Sequence, residues 1–277
     1  IGELYRDRVG DAHRAFEFFA QAFAFDFGNE ELEAELERLA TEGGYYEDLL
    51  HAYQDGIGLS PDEYLVDRYL LKAAHLAQDK LGDPQRAVAF FEQILERDET
   101  NEEALLHLEA HYEAVGDDTR LVEVLRHSLA LSQPAAARTR TLLRLALLYH
   151  DALDDTAAAE EVLREVLSED PGNHEALRRL EEIVIGHGQW EDLAEIYATM
   201  LRYAESDDER VALLSRAAQV HEFQLGQLSE AVQCYNDIFM YQPTNLYAVT
   251  SLERLYEQTE EWDGLLTVWR ERLELLS

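Results

Sequence analysis

The residues best spaced to hold an ion are two histidines in the run His107-Leu108-Glu109-Ala110-His111. On a helix, positions four apart lie on one face, so both imidazoles can point toward a single transition metal. Carboxylates recur along the chain at Glu37, Glu109, Glu181 and Glu253. The single cysteine, Cys234, excludes an internal disulfide. No GxxxxGK phosphate loop, GxSxG nucleophile elbow or HExxH zinc helix occurs.

What these groups can do depends on the elements that carry them, and those elements repeat. Shifting the chain by 72 residues superposes Ala15, Ala87, Ala159 and Ala231, and likewise Asn29, Asn101, Asn173 and Asn245. The Asn column uses four of the chain's five asparagines, so chance does not account for it. Two Leu columns follow the same period, Leu36, Leu108, Leu180, Leu252 and Leu49, Leu121, Leu193, Leu265. Each Asn stands where a helix begins and can accept a bond from an unpaired first-turn N–H, so all four are expected to be N-caps. Ser60-Pro61-Asp62-Glu63 and Ser206-Asp207-Asp208-Glu209 read as capping boxes with Ser at the N-cap and Pro61 at the first helical position. The turns at Gly10, Gly82 and Gly226 close one helix and open the next. Sixteen helices are expected, the first truncated.

Set in these columns, the chemistry recedes. His107 aligns with Glu35, Arg179 and Ser251, read as a solvent column, and His111 with Leu39, Ile183 and Leu255, an apolar one. One imidazole then faces out and the other is half-buried, so they do not converge. The Glu column cannot share one ion either, because equivalent residues two hairpins apart are separated by roughly 20 Å, far beyond direct ligation. A buried carboxylate without a partner is costly, so each Glu is expected to reach a donor on a neighbouring helix or to face solvent. Cys234 shares a column with Phe18, Phe90 and Val162 and reads as a small core hydrophobe. Trp190 and Trp262 (with Tyr46) and Trp269 (with Tyr53, Leu125 and Tyr197) also read as core. In the first copy, Phe25, Phe27 and Tyr45 replace polar residues or proline and are read as local packing against a preceding repeat, the alternative being a partner-binding surface. No catalytic residue, cofactor or metal ligand is expected.

One stretch, Leu142 to Asn173, carries Leu142, Leu145, Ala146, Tyr149, Ala159, Leu163 and Pro171 at spacings that resemble the tetratricopeptide repeat, WxxLGxxY, AxxxF, P. Leu stands for the Trp and Ala for the Gly. In the second half of each period the pattern recurs in altered form, with Glu and Leu at the small-residue positions. The resemblance implies an all-α fold, a right-handed α-solenoid of antiparallel helix hairpins, forming one array over 1–277 of about four 72-residue double repeats. The chain begins at Ile1, aligned with mid-helix positions, and stops as a hairpin closes, so an excerpt of a longer array is expected, with further repeats at either end.

The resemblance also implies a groove lined by the first helix of each hairpin, binding a peptide or protein partner. By column, the groove residues are Arg68, His75, Gln78, Asp79, Arg140, His150 and Asp151 from first-type hairpins, and Glu103, Glu113, Glu175, Arg178, Glu182 and Arg254 from second-type hairpins. A non-catalytic interaction scaffold follows. The alternatives are a structural or assembly subunit, self-associating or within a large complex, and a regulatory module of a longer protein. With 58 acidic against 23 basic residues, the net charge of −35 repels nucleic acid and anionic membranes and favours a basic partner. No apolar run is long enough for a membrane span, and a cytoplasmic location is expected.

Overall fold

Residues 1–131 and 134–275 are described in a computed structural model, and every regular element among them is helical. They are α1 (residues 2–9), α2 (Ala12–Phe25), α3 (Glu30–Gly43), α4 (Tyr46–Leu59), α5 (63–80), α6 (Pro84–Arg97), α7 (Glu102–Val115) and α8 (Asp118–Leu129). The second half comprises α9 (135–152), α10 (Thr156–Glu169), α11 (His174–His187), α12 (Trp190–Tyr203), α13 (207–224), α14 (Leu228–Tyr241), α15 (Leu246–Gln258) and α16 (Trp262–Leu275). Two compact units result, Ile1–Gln133 and Pro134–Ser277, and each contains four consecutive hairpins. Within each unit the hairpins stack as a solenoid, so apolar surface is buried between neighbours and not around a centre.

The columns explain why the helices start and stop where they do. Asn29, Asn101, Asn173 and Asn245 each accept a first-turn N–H, from Leu32, Ala104, Ala176 and Ala248. At the other hairpin type, Asp11, Asp83 and Asp155 cap α2, α6 and α10. Helices α1, α5, α9 and α13 widen into one π-type turn before stopping. There the N–H of Asp11, Asp83, Asp155 and Gln227 donates back to the carbonyl of Tyr5, Ala77, Tyr149 and His221. The residue just before each donor is left-handed: Gly10, Gly82, Gly226 and, with a side chain, Asp154 at φ 53°. A second left-handed column comprises Gly44, Gly116, Gly188 and Glu260, the last at φ 60°.

One cap differs from the sequence reading. Helix α5 begins at Glu63 and not after Ser60: Asp62 is its N-cap and accepts from Tyr64 and Leu65, while Ser60 accepts from the Asp62 N–H. Two acceptors in tandem compete for the start, and Pro61 is left outside the helix. Ser206 does cap α13, accepting from Glu209, although the Glu209 carboxylate reaches the Glu205 N–H, one residue upstream of the expected partner.

The apolar columns form the core. Ala15, Ala87, Ala159 and Ala231 are at most 3% exposed, and Leu36, Leu108, Leu180 and Leu252 at most 2%. Ala at this crossing lets the paired helices approach closely. In the first copy, Phe27 enters an aromatic cluster with Phe23 and Tyr69, and its ring lies over Gly56, where a Cβ would come within 1.9 Å. Tyr45 packs on Phe16 and His13, whereas Phe25 projects into solvent. The expectation that the tryptophans are core fails on α16, where Trp262 and Trp269 are 56% and 43% exposed. The face that α5 covers on α4, and α13 on α12, has no described helix beyond α16 to cover it.

Candidate functional site

The recurring carboxylates are tied into interhelical bonds. On α11, Glu181 accepts from the Tyr197 hydroxyl of α12 at 2.8 Å and from Arg216 of α13 at 2.9 Å. On α3, Glu37 accepts from Tyr53 of α4 at 2.9 Å and Lys72 of α5 at 2.8 Å. On α15, Glu253 accepts from the Trp269 indole N–H of α16 at 3.0 Å and from Arg272 at 3.1 Å. The aromatic donor stands 16 residues after its Glu each time, and in the first two cases the cation stands 35 after it. Each clamp therefore joins the helices of one hairpin, and the first two also reach the following hairpin. Leu125 replaces the aromatic donor in the Glu109 copy.

The electrostatics follow from this packing. Burial pushes the Glu37 carboxyl up, but bonds from Lys72 and Tyr53 outweigh it and hold the group below its ordinary range. Burial, then the bonded carboxylate, drives the Tyr53 and Tyr197 hydroxyls well above theirs. Burial also raises the Cys234 thiol, to about 11, consistent with an inert side chain packed beside the core.

Two further buried carboxylates escaped the column reading. Glu33, 3% exposed, occupies a column otherwise made of Leu105, Leu177 and Val249. It accepts from the Tyr69 hydroxyl at 2.7 Å, from Arg68 at 2.9 Å and from Lys72. Glu222, 8% exposed, accepts from Tyr235 at 3.1 Å and from Arg254. The available signal was a lone charge in an apolar column for Glu33. For Glu222 no column signal existed, because its equivalents, Arg6, Gln78 and His150, are all polar.

Arg68 and Arg254, read as groove residues, are thus drawn onto buried carboxylates. Gln78, Asp79, Glu113, Arg140 and Asp151 are exposed, the last 2.8 Å from half-buried His150. On α11, Arg178 bonds to Glu182 at 3.0 Å and Glu175 at 3.4 Å, and Arg179 bonds to Glu175 at 2.6 Å. In the first unit an open cleft of about 300 Å³ is lined by Glu37, Tyr46, Tyr53, Lys72, His75 and Asp79, among others.

The histidines group differently from their sequence spacing. His107 is not in a solvent column: Glu35, His107 and Arg179 are half-buried and Ser251 is 5% exposed. Its ring stacks on buried Phe91, centroids 4.5 Å apart and planes 9° from parallel. It meets His75, the last residue before the π-type turn of α5, at 5.8 Å between ring centroids. Glu103, one turn before His107 on α7, lies 2.8 Å from His75 Nε2. His111 points instead to Tyr112. Groove candidates His75 and Glu103 are therefore brought together, with His107 as a neighbour the groove reading had omitted.

No helix among the described residues is long and apolar enough to cross a membrane. Residues 67–101 and 140–173 each match a tetratricopeptide repeat family model. No curated protein matches the sequence significantly. Among solved structures, the C-terminal part of a TPR repeat-containing protein from Cytophaga hutchinsonii is 13% identical, covering 90% of this chain and 96% of its own, with a TM-score of 0.36. A tetratricopeptide repeat protein from Parabacteroides merdae is 14% identical, covering 92% and 95%, with a TM-score of 0.34. YrrB, described as a TPR protein with an unusual peptide-binding site, is 14% identical, covering 73% and 98%, with a TM-score of 0.37. Likenesses at this level assign no ligand or activity.

Proposed function

We propose that this chain, a tetratricopeptide repeat protein, is a non-catalytic scaffold that holds a basic peptide or protein segment along the first helices of its hairpins. The observation that carries the reading is how unevenly the charges are used. Most Arg and Lys side chains are held in ion pairs within the chain, as Arg38, Arg86, Arg138 and Arg164 are. A net charge of −35 then leaves a surface dominated by carboxylates, including Asp79, Asp151 and Glu182 on first helices. Such a surface attracts cationic segments and disfavours anionic ones.

Supporting the non-catalytic part, the carboxylates that burial might have activated, Glu33, Glu181 and Glu222, are each saturated by a tyrosine and a cation. These bonds hold neighbouring helices together.

The test is a pull-down from native lysate with the intact chain and with an Asp79→Lys/Asp151→Lys variant. A distinct client retained by the wild type, released by salt and lost by the variant is the expected result. Stoichiometric self-association with no other protein, or a client indifferent to both salt and the substitutions, overturns the reading in favour of a structural subunit.

A further inference from the structure

The geometry points to a binding site for one borderline transition-metal ion, of the zinc class, at His75, Glu103 and His107. One imidazole nitrogen from each histidine and one carboxylate oxygen lie within 4.8 Å of one another. Around a tetrahedral zinc, donors at bonding distance are about 3.3 Å apart. His75 Nε2 and Glu103 Oε1, at 2.8 Å, are already inside that spacing. The remaining closure needs only small rotations of His75 and Glu103, whose side chains are 40% and 48% exposed.

The repeat architecture does not demand this cluster. At the same three column positions the other copies carry Glu3, Glu31 and Glu35; Leu147, Glu175 and Arg179; and Gln219, Tyr247 and Ser251. In the third copy Arg179 pairs with Glu175 within α11 and Leu147 offers no polar group, and in the fourth Gln219 bonds across the junction to the Tyr247 hydroxyl. Two imidazoles and a carboxylate converge only in the second.

The rings are also oriented before any ion arrives. Phe91, 1% exposed, stacks flat against His107 and meets the edge of His75 at 6.0 Å. Asn101 caps α7 and fixes the turn that carries Glu103. With three protein donors and an open outer face, the fourth position takes water or a donor from a bound partner. The acidic surface concentrates cations in general, but two imidazoles select zinc, nickel, cobalt or copper over calcium and magnesium, which prefer all-oxygen shells.

The test is calorimetric titration of the intact chain with Zn²⁺ alone, and with Co²⁺ followed by its visible absorption. One saturable Zn²⁺ site per chain is expected, unaffected by millimolar Mg²⁺ or Ca²⁺. His75→Ala and His107→Ala should each weaken it by at least the about 10–100-fold that loss of an outer-shell partner costs. His111→Ala, outside the cluster, should bind as wild type. Circular dichroism checks each fold, and because His107 also packs on Phe91, half-exposed His75 supplies the variant least able to fail by unfolding. Absence of a saturable site, or binding that His75→Ala leaves unchanged, overturns the proposal and assigns any bound metal to scattered surface carboxylates.

Discussion

Removing the hydroxyl of Tyr197 isolates what a clamp contributes. In the native chain the Glu181 side chain is 12% exposed, Tyr197 is 3% exposed, and the Arg216 side chain is 57% exposed. Tyr197→Phe keeps the ring and its packing but deprives a largely buried carboxylate of one donor, which costs about 1.5–3 kcal/mol for a hydrogen bond to a charged group. Arg216→Ala should cost less than about 1 kcal/mol, because that guanidinium is mostly solvated and its pairing is screened. Glu181→Gln retains an acceptor for the hydroxyl and should fall between them, whereas Glu181→Ala strands the Tyr197 hydroxyl at about 1–3 kcal/mol. A double-mutant cycle of Glu181→Ala with Tyr197→Phe should return a coupling of about 1–2 kcal/mol. Repeat arrays can unfold in parts, so urea titration is best paired with hydrogen exchange of α11, α12 and α13 amides. Tyr197→Phe and Glu181→Ala both within about 0.3 kcal/mol of wild type, with no coupling beyond the error of such cycles, would refute the clamp as a stabilising element.

Three further outcomes follow from the packing and backbone. Leu193→Ala, at a side chain 1% exposed, should cost about 2–5 kcal/mol, and a loss below about 1 kcal/mol in urea would mean that the hairpin junction collapses around the cavity. Glu260→Gly, at φ 60° in a column of glycines, should gain about 0.5–1 kcal/mol despite glycine's greater unfolded-state freedom, and a lower midpoint temperature would contradict the strain argument. Acid should weaken the Glu37 clamp: its carboxyl is held below its ordinary value in the folded chain, so its contribution is present above the unfolded pKa of about 4.3 and is lost as pH falls through the lower folded value. The stability difference between wild type and Glu37→Gln should accordingly shrink below about pH 4, and a difference that grows with acid would reverse the assigned sign.

The columns made most of the fold legible, because a residue that must be small, left-handed or a cap betrays itself by recurring. Asn29 and its equivalents, Ala15 and its equivalents, and the two Leu columns all occupy the positions their types required. What the columns hid was chemistry particular to one copy. Glu33 is buried where its equivalents are apolar because Arg68, Tyr69 and Lys72 arrive together from α5. Phe27 fits because Gly56 makes room across the helix pair. The His75, Glu103 and His107 cluster spans two helices, so the i, i+4 spacing of His107 and His111 within one helix does not mark it. Even the Tyr53, Tyr197 and Trp269 column, read as plain core, supplies the donors that satisfy the Glu column.

The scaffold reading is tested most directly by hydrogen exchange on the intact chain with and without the client retained in the pull-down. The account predicts protection concentrated in first helices carrying Asp79, Asp151 and Glu182, namely α5, α9 and α11, and reduced as salt rises. Protection confined to the second helices of the hairpins, or protection insensitive to salt, would contradict it.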